Sequence, residues 1–293
     1  MTKRQGWMMV ESSTRHRRVL LQIDAATHCE ETVGAAIDIA ARLGGELHGL
    51  FIEDADLVTV GDLDFIREFR FSSPVAHQLD RLTLEGQLRA MARSIQRQLE
   101  RAGSRRKVTV GFRAVRGDLW RLEKETHDDA DLVIIESTGR LHSRNYRGQL
   151  VTRRGVLAVK CPTLLLKGGQ RLAPYVTIIC DSVDSVDHGL QAVRALLGAQ
   201  WKSITLLPFC LTEQEQAEIL RIATKLSEAS DQATNENDRI HMMDPVNDDG
   251  NNVLNILTPD NCVVVMKTGG KFMNNSAQLE PLLTSRHPLF FIQ

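Results

Sequence analysis

The sequence predicts an α/β protein made of two tandem domains, each with an open, twisted, five-stranded parallel sheet. Short apolar runs alternate with segments of helical periodicity along the whole chain, which is typical of parallel sheets covered by helices on both faces. The pattern then occurs twice, because ADLVIIESTGR at 130–140 is echoed by DNCVVVMKTGGK at 260–271. Internal similarity of this kind favours a duplicated structural unit.

Five short apolar runs predict the strands of the first domain. The first of them ends in an acidic residue, as a buried parallel strand often does. The predicted strands are Arg18–Asp24, Leu47–Ile52, Val108–Val115, Asp131–Glu136 and Thr163–Leu166.

Apolar residues spaced three and four apart predict the helices between these strands. The first helix follows a capping box at Thr27–Glu30 and stops at Gly44-Gly45. Its apolar face is Val33, Ile37, Ala40 and Leu43, and that of the long second helix is Leu84, Leu88, Met91, Ile95 and Leu99. Shorter helices are predicted at Leu119–His127 and Gly148–Val159.

The second domain repeats this order in a shorter form. Val176–Asp181 is again a strand that ends in an acid, and helices are predicted at His188–Leu197 and Glu213–Ala229. The apolar side of the last helix is Ala217, Leu220, Ala223 or Thr224, and Leu226. The remaining elements are Ser203–Leu207, Ile240–Met242, Asn252–Leu257, Cys262–Met266 and Leu289–Ile292.

Glycine and proline punctuate the joint between the two domains. We therefore expect an N-terminal extension at 1–17, a first domain at 18–167, a linker at 168–174 and a second domain at 175–293.

Composition indicates a globular protein. The chain has 293 residues, of which 42% are apolar, enough to form cores. Its 36 Lys and Arg against 37 Asp and Glu give a formal charge of -1. This balance argues against coating nucleic acid through bulk positive charge but leaves a local patch open.

The sequence also indicates where the protein works. No apolar run is long enough for a membrane-spanning helix or a signal-peptide core. The five cysteines are widely spaced without a CxxC pair, which indicates reduced thiols. We therefore expect a cytoplasmic protein with no membrane and no nucleic-acid partner.

Three segments resemble the universal stress protein family: Leu20–Asp24, Asp131–Glu136 followed by Ser137-Thr138-Gly139, and Cys161-Pro162 before Thr163–Leu166. The resemblance covers nearly the whole chain and is stronger in the first half. It implies an adenine nucleotide alpha hydrolase-like fold with a ligand crevice at the carboxyl ends of the strands. It also implies a dimer-like arrangement within one chain, in which the last strands of the two domains pair across a pseudo-twofold axis.

Many members of this family bind ATP through a loop of the pattern G-x2-G-x9-G-[S/T], whose glycines let backbone N–H groups approach phosphates. Gly139 matches the second glycine of this pattern. Glu136 stands at the first glycine position and Gln149 at the third, with Gly148 one place early. The resemblance therefore implies a degenerate nucleotide loop.

An anionic ligand remains open in the first domain, because residues 137–167 hold seven Lys and Arg and no acid. Asp24 matches a position that contacts ribose or adenine in ATP-binding relatives, and Thr152 matches one that contacts phosphate. The residues that the resemblance assigns to ATP or another phosphorylated ligand are Asp24, Phe51, Thr138, Gly139, Arg140, Gly148, Gln149 and Thr152. The alternative is that the basic residues form a solvated helix face.

The corresponding candidates in the second domain are Asp181, Gly269, Gly270 and Ser276. The sequence Thr268–Lys271 looks like a phosphate-binding loop but does not fit the G-x-x-x-x-G-K-[S/T] pattern. A tight glycine turn after a buried strand is the favoured interpretation.

Catalytic signatures such as GxSxG, HExxH and GxGxxG do not occur, and no ligand-spaced histidine pair predicts a metal. We therefore expect a non-catalytic stress-response protein that acts through ligand sensing or protein partners, with no certain cofactor. The alternative is an ATP-binding member that holds one nucleotide in the first domain. Weak ATP hydrolysis also stays open.

Two features suggest protein partners or self-association. The basic stretch 137–167 and an acidic stretch at 226–260, with eight acids against Arg239, would steer two halves or two chains together, unless both are simply solvated. Leu57–Phe71 is unusually apolar for a connection. It would serve as a lid or an oligomer contact, or else pack on its own core.

Overall fold

Two sheets, one large and one small, organise the protein. A computed structural model describes residues 17–24, 30–54, 58–59, 62, 67–70, 73–78, 81–117, 129–137, 161–167, 172–230, 239–247, 253–257 and 262–293. The strands within these residues are β1 (Arg18–Asp24), β2 (Glu46–Asp54), β3 (Arg67–Arg70), β4 (Ser73–Gln78), β5 (Val110–Gly117), β6 (Leu132–Ser137), β7 (Thr163–Lys167), β8 (Tyr175–Cys180), β9 (Ser203–Pro208), β10 (Arg239–Met242), β11 (Val263–Lys267) and β12 (Leu289–Ile292). The helices are α1 (Glu30–Leu43), α2 (Arg81–Arg106), α3 (Val183–Leu197), α4 (Glu213–Ser230), α5 (Val253–Ile256), α6 (Lys271–Asn274) and α7 (Ser276–Thr284).

Ten strands form one continuous sheet in the order β10-β9-β8-β11-β12-β7-β6-β1-β2-β5, and β3 pairs with β4 in a separate hairpin. In the ten-stranded sheet, pairing is parallel within residues 18–167, the first half, and within residues 175–293, the second half. The halves meet where β12 runs antiparallel to β7. The α/β class is confirmed, and the last strands pair as the resemblance implies.

Each half has the same strand order from its edge to the seam, β5-β2-β1-β6-β7 and β10-β9-β8-β11-β12. The matched order agrees with the predicted tandem arrangement. Duplication itself and the predicted domain boundaries remain predictions.

The central strands are apolar runs because both of their faces are covered. Every residue of β7 and β12 is buried. One core lies between the sheet and α1, α2, α3 and α4, and the other between the sheet and α5, α6 and α7. The edge strand β5 is more exposed and carries arginines, which discourage pairing with another chain.

The two predicted apolar faces of the first half are confirmed. Val33, Ile37 and Ala40 are buried on α1, and Gly44 ends that helix with φ 61°, a conformation that favours glycine. On α2 the buried residues include Leu84, Leu88, Ile95 and Leu99. The predicted capping residues at 27–29 and the helices predicted at 119–127 and 148–159 lie outside the described residues.

Two predictions for the second half are wrong. Helix α3 begins at Val183, five residues before the predicted start, after a capping box formed by Ser182 and Ser185. Val186 is buried and extends the apolar spacing of Leu190 and Val193 into this first turn, a signal that the prediction missed.

On helix α4, Ala223 of the predicted face is buried and Leu226 packs against the core. However, Leu220 of that face is 53% exposed, and the neighbouring Ile219 is buried instead. The buried side is thus rotated by about one residue.

Other elements are absent from the sequence prediction. Helices α6 and α7 follow β11, and α7 contains Pro281, a residue that normally indicates a helix end. The Asn252–Leu257 segment is the short helix α5. In the apolar Leu57–Phe71 segment, Val58 packs in the core and Arg67–Arg70 forms β3 of the hairpin. A lid or oligomer contact there remains a prediction.

Within the described ranges, no helix combines the length and the apolar character needed to cross a membrane.

Candidate functional site

The first half has the geometry expected of a ligand crevice where β1 lies between β2 and β6. The chain leaves β1 toward β2 on one side, and β6 lies on the other, so the loops after these strands diverge. Asp24 is the last residue of β1 and pairs in register with Ile52. Ser137 ends β6, and the predicted loop begins at the next residue. The sheet therefore brings Asp24 and the start of that loop to the same edge.

The remaining residues of the predicted first-half site are placed in part. Phe51 has 0% exposed surface and belongs to the main core, so packing accounts for an apolar side chain there and a ligand contact stays a prediction. The side chain of Asp24 and the part of the loop from residue 138 onward lie outside the described residues. The loop residues concerned are Thr138, Gly139, Arg140, Gly148, Gln149 and Thr152.

Glu136 occupies the first glycine position of the predicted loop and is 4% exposed. It lies one residue before the end of β6 and pairs in register with Leu166 of β7. A carboxylate is therefore buried beside the start of the predicted phosphate loop, where a nucleotide-binding loop has bare backbone.

An ion-pair network at the carboxyl ends of β2 and β5 was not predicted. Arg116 donates two hydrogen bonds to Glu53 Oε2, at 3.0 and 2.9 Å, and one of 2.8 Å to Glu85. Arg81 joins Glu85 to Asp62. The hydrogen bond from Arg116 is the main reason why the pKa of Glu85 is lowered. The network ties the start of α2 to the same edge of the sheet as Asp24.

This network depends on strand register. Glu53 and Arg116 face each other because β2 and β5 pair in parallel with those residues opposed. Only the Arg81–Glu85–Arg89 spacing of three charged residues four apart was visible in the sequence.

In the second half, Asp181 follows β8 as Asp24 ends β1. Its side chain is 4% exposed, and Oδ2 accepts a hydrogen bond of 3.2 Å from the backbone N–H of Phe272. Burial raises the pKa of this carboxyl, while the bond from Phe272 opposes that shift. The carboxylate thus lies directly against the loop that was predicted to receive an anion.

Gly270 makes this close contact possible. A Cβ at that position would lie 1.9 Å from Asp181 Oδ2, far inside van der Waals contact. Gly269 beside it has φ 75°, which favours glycine. The two glycines therefore serve a tight turn and a close approach to Asp181, as the glycine-turn interpretation expects.

The rest of the second-half loop is held by contacts of its own. Lys271 Nζ donates a 2.9 Å hydrogen bond to the carbonyl of Cys210. Ser276 is the first residue of α7, and Asn275 caps that helix by accepting from the N–H of Gln278 at 3.2 Å. Asp181 thus contacts the turn that contains Gly269 and Gly270, and Ser276 begins the helix that follows. Anion binding there remains a prediction.

Lys167 links the two halves and was not singled out by the sequence. It ends β7, is 3% exposed, and its Nζ donates a 2.6 Å hydrogen bond to the carbonyl of Leu283 in α7. Burial lowers the pKa of this ammonium to about 8. The last turn of a helix is a favourable place for a cation, so this bond holds second-half α7 against the end of a first-half strand.

A cavity of about 630 Å³ lies between α1 of the first half and the chain entering the second half. Leu172, Pro174 and Leu197 form one wall. The charged lining residues on α1 are Glu30, Glu31, Asp38 and Arg42. Arg42 Nη1 donates to Gln200 Oε1 at 2.8 Å, which joins the two walls.

Cysteine and metal chemistry have little support in the described residues. Cys161, Cys180, Cys210 and Cys262 are free thiols there. Within the same ranges, no group of three or more His, Cys, Asp and Glu side chains has the arrangement of a metal site.

Solved structures resemble this fold. The crystal structure of a universal stress protein from Archaeoglobus fulgidus DSM 4304 aligns with a TM-score of 0.54 and 13% identity, over 94% of this chain and 96% of that one. A functionally unknown protein from Pseudomonas aeruginosa PAO1 aligns with a TM-score of 0.45 and 14% identity, over 94% and 92%. At 13% identity, the likeness to the Archaeoglobus fulgidus protein shows the fold alone.

No curated protein matches the sequence. The profile of the universal stress protein family matches residues 15–167, which is more than half of the chain and contains all of the first half. On this match and the fold, the chain belongs to the universal stress protein family.

Proposed function

We propose that this protein is a non-catalytic stress-response regulator that senses a ligand or binds protein partners, with at most one anionic ligand per chain, in the first half. Membership of the universal stress protein family supports a role in the stress response. The limit of one anionic ligand depends on one observation: the carboxylate of Asp181 accepts a hydrogen bond from the backbone of the second-half loop.

Electrostatic repulsion disfavours a phosphate in the second-half site. A carboxylate about 4–5 Å from a phosphate costs about 3–4 kcal/mol at an effective dielectric constant of about 20. A helix N-terminus returns only about 0.3–1 kcal/mol. Lys267 and Lys271 lie near enough to lower the pKa of Asp181, but Lys271 already donates to Cys210. A phosphate would have to displace Asp181 to reach the N–H of Phe272.

The first half is the better candidate for a ligand. There the carboxyl ends of β1 and β6 flank the switch point of the sheet, and the following segment is rich in arginine without acids. Glu136 at the first glycine position favours a ligand other than ATP. The alternative function is that of an ATP-binding universal stress protein with one nucleotide near Asp24.

The non-catalytic role agrees with the chemistry of the Cys262–His287 contact. Cys262 Sγ lies 3.5 Å from His287 Nδ1, a distance that invites comparison with a nucleophile and its base. However, Cys262 has 0% exposed surface, and burial raises the pKa of its thiol. An inaccessible thiol that stays protonated is a packing residue.

Isothermal titration with ATP tests this proposal on three chains: the wild type, Asp24→Ala and Asp184→Ala, whose exposed acid on α3 is the control. If none of the three chains gives a heat of binding, the result supports a regulator that senses a ligand other than ATP. Mass spectrometry of molecules that copurify with the protein then identifies that ligand. One equivalent that Asp24→Ala removes and Asp184→Ala retains supports the ATP-binding alternative. Two equivalents, or one that survives Asp24→Ala, would contradict a single site in the first half.

A further inference from the structure

The solvent-facing side of α2 carries a row of arginines. Five of them follow one another at intervals of four residues, and all five are exposed: Arg89, Arg93, Arg97, Arg101 and Arg105. At about 100° per residue, the middle of this row lies opposite the side of α2 that packs on the core. That buried side consists of Leu84, Leu88, Ala92, Ile95, Leu99 and Gly103.

The row is strongly charged and largely without ion pairs. The segment Arg81–Lys107 contains eight basic and two acidic residues in a chain whose net charge is -1. Arg89 pairs with Glu85 at 2.9 Å. Among the described residues, no carboxylate lies within ion-pair distance of the four arginines from Arg93 to Arg105.

Folding alone does not account for this arrangement. Like charges four residues apart on a helix destabilise it by a few tenths of a kcal/mol per pair. Small or uncharged residues between the arginines, such as Ala90 and Ser94, leave the guanidinium groups accessible. A local positive field of this kind attracts an anionic partner although the whole molecule is nearly neutral.

The chemistry of the row favours phosphate groups in a regular series. Guanidinium groups bind phosphate oxygens through paired hydrogen bonds, and all four unpaired positions are Arg. The helical rise places successive arginines about 6 Å apart and spreads Arg93 to Arg105 over about 18 Å. Helix α2 contains no aromatic residue on which the bases of a single strand would stack or which would anchor it in a bilayer.

We propose that the outward face of α2 is a docking surface for the phosphate backbone of double-stranded nucleic acid, contacted by Arg93, Arg97, Arg101 and Arg105 without reading the base sequence. This surface is separate from the ligand crevice and goes beyond the proposed function. It revises the expectation of no nucleic-acid partner, which rested on the balanced charge of the whole chain.

Fluorescence anisotropy with a labelled duplex of about 20 base pairs, in 50 and 200 mM KCl, tests the proposal. Four phosphate contacts give a salt slope of about -3.6, so the affinity falls on the order of 100-fold between these two salt concentrations. The double variant Arg97→Ala/Arg101→Ala is expected to bind more weakly in 50 mM KCl. Because it keeps two of the four phosphate contacts, its affinity should fall only about tenfold between 50 and 200 mM KCl. Alanine favours helix, and circular dichroism checks that α2 is kept.

The matched control is Arg194→Ala/Arg221→Ala, which removes two exposed arginines from helices of the second half and is expected to bind as the wild type does. Absence of binding in 50 mM KCl would overturn the proposal, as would equal losses in the two double variants. Binding to vesicles of phosphatidylserine and phosphatidylcholine in place of the duplex would overturn it in favour of a membrane. None of these results alters the nucleotide titration, so the two proposals fail separately.

Discussion

Lys167 carries a charge into the seam between the two halves, where its amino group reaches the carbonyl of Leu283. Burial lowers the pKa of this lysine from 10.5 to about 8. Between these values the unfolded chain holds a proton that the folded chain has released. The free energy of unfolding therefore rises with pH in this window, by up to about 3 kcal/mol.

Urea denaturation at pH 7 to 10.5 measures this contribution as the difference between the wild type and Lys167→Met. We expect the wild type to gain stability relative to the variant as the pH passes from about 8 toward 10.5. Lys202→Met, which removes an exposed lysine, provides the control and should follow the wild type. A constant difference between the wild type and Lys167→Met across this range would show that the buried amine keeps an ordinary pKa.

Gly270 is required by the carboxylate of Asp181. Gly270→Ala places a methyl group 1.9 Å from Oδ2, which forces the carboxylate off the N–H of Phe272. The cost expected for such overpacking is about 1–3 kcal/mol. Thermal and urea unfolding of Gly270→Ala, Asp181→Ala and the double variant measure the coupling between the two sites.

The double variant is expected to lose less stability than the sum of the single variants, because the clash disappears together with the carboxylate. Gly34→Ala is the control, since a Cβ there meets nothing within 4 Å, and it should leave stability unchanged or raise it slightly. Additive losses at Gly270 and Asp181 would mean that the glycine is needed for another reason.

At the scale of elements, helix α4 shows how an apolar pattern can match the buried side only in part, since Ala223 is buried but Leu220 is exposed. Ile219→Ala removes a fully buried side chain and should cost about 2–5 kcal/mol. Leu220→Ala, on the neighbouring exposed side, should change stability by no more than about 0.5 kcal/mol. Urea denaturation distinguishes them, and a larger loss from Leu220→Ala would restore the predicted face.

Periodicity predicted most strands and the first-half helices because burial on both faces of a parallel sheet demands continuous apolar runs. The prediction failed at helix boundaries: α3 begins five residues before the predicted start, and α7 contains Pro281. The acids at the strand ends, Asp24 and Asp181, were also visible in the sequence. The backbone group that Asp181 contacts depends on the path of the loop, and the Glu53–Arg116 pair depends on strand register. Hydrophobic periodicity contains information on neither the loop path nor the register.

The whole molecule joins two halves of the same strand order through the antiparallel β7–β12 seam. The segments that follow the corresponding strands differ in sequence. In the second half, the loop after β11 is closed around Asp181. In the first half, β1 and β6 bring Asp24 to the start of an arginine-rich segment. We therefore expect the two crevices to differ in ligand binding although their sheets correspond.

Native mass spectrometry of the intact protein, titrated with ATP and inorganic phosphate, tests most directly whether only the first half receives an anionic ligand. The account predicts complexes with no more than one ligand per chain, and Asp24→Ala, which removes the predicted ribose or adenine contact, is expected to abolish any ATP complex. A population with two ligands bound to the wild-type chain would contradict it.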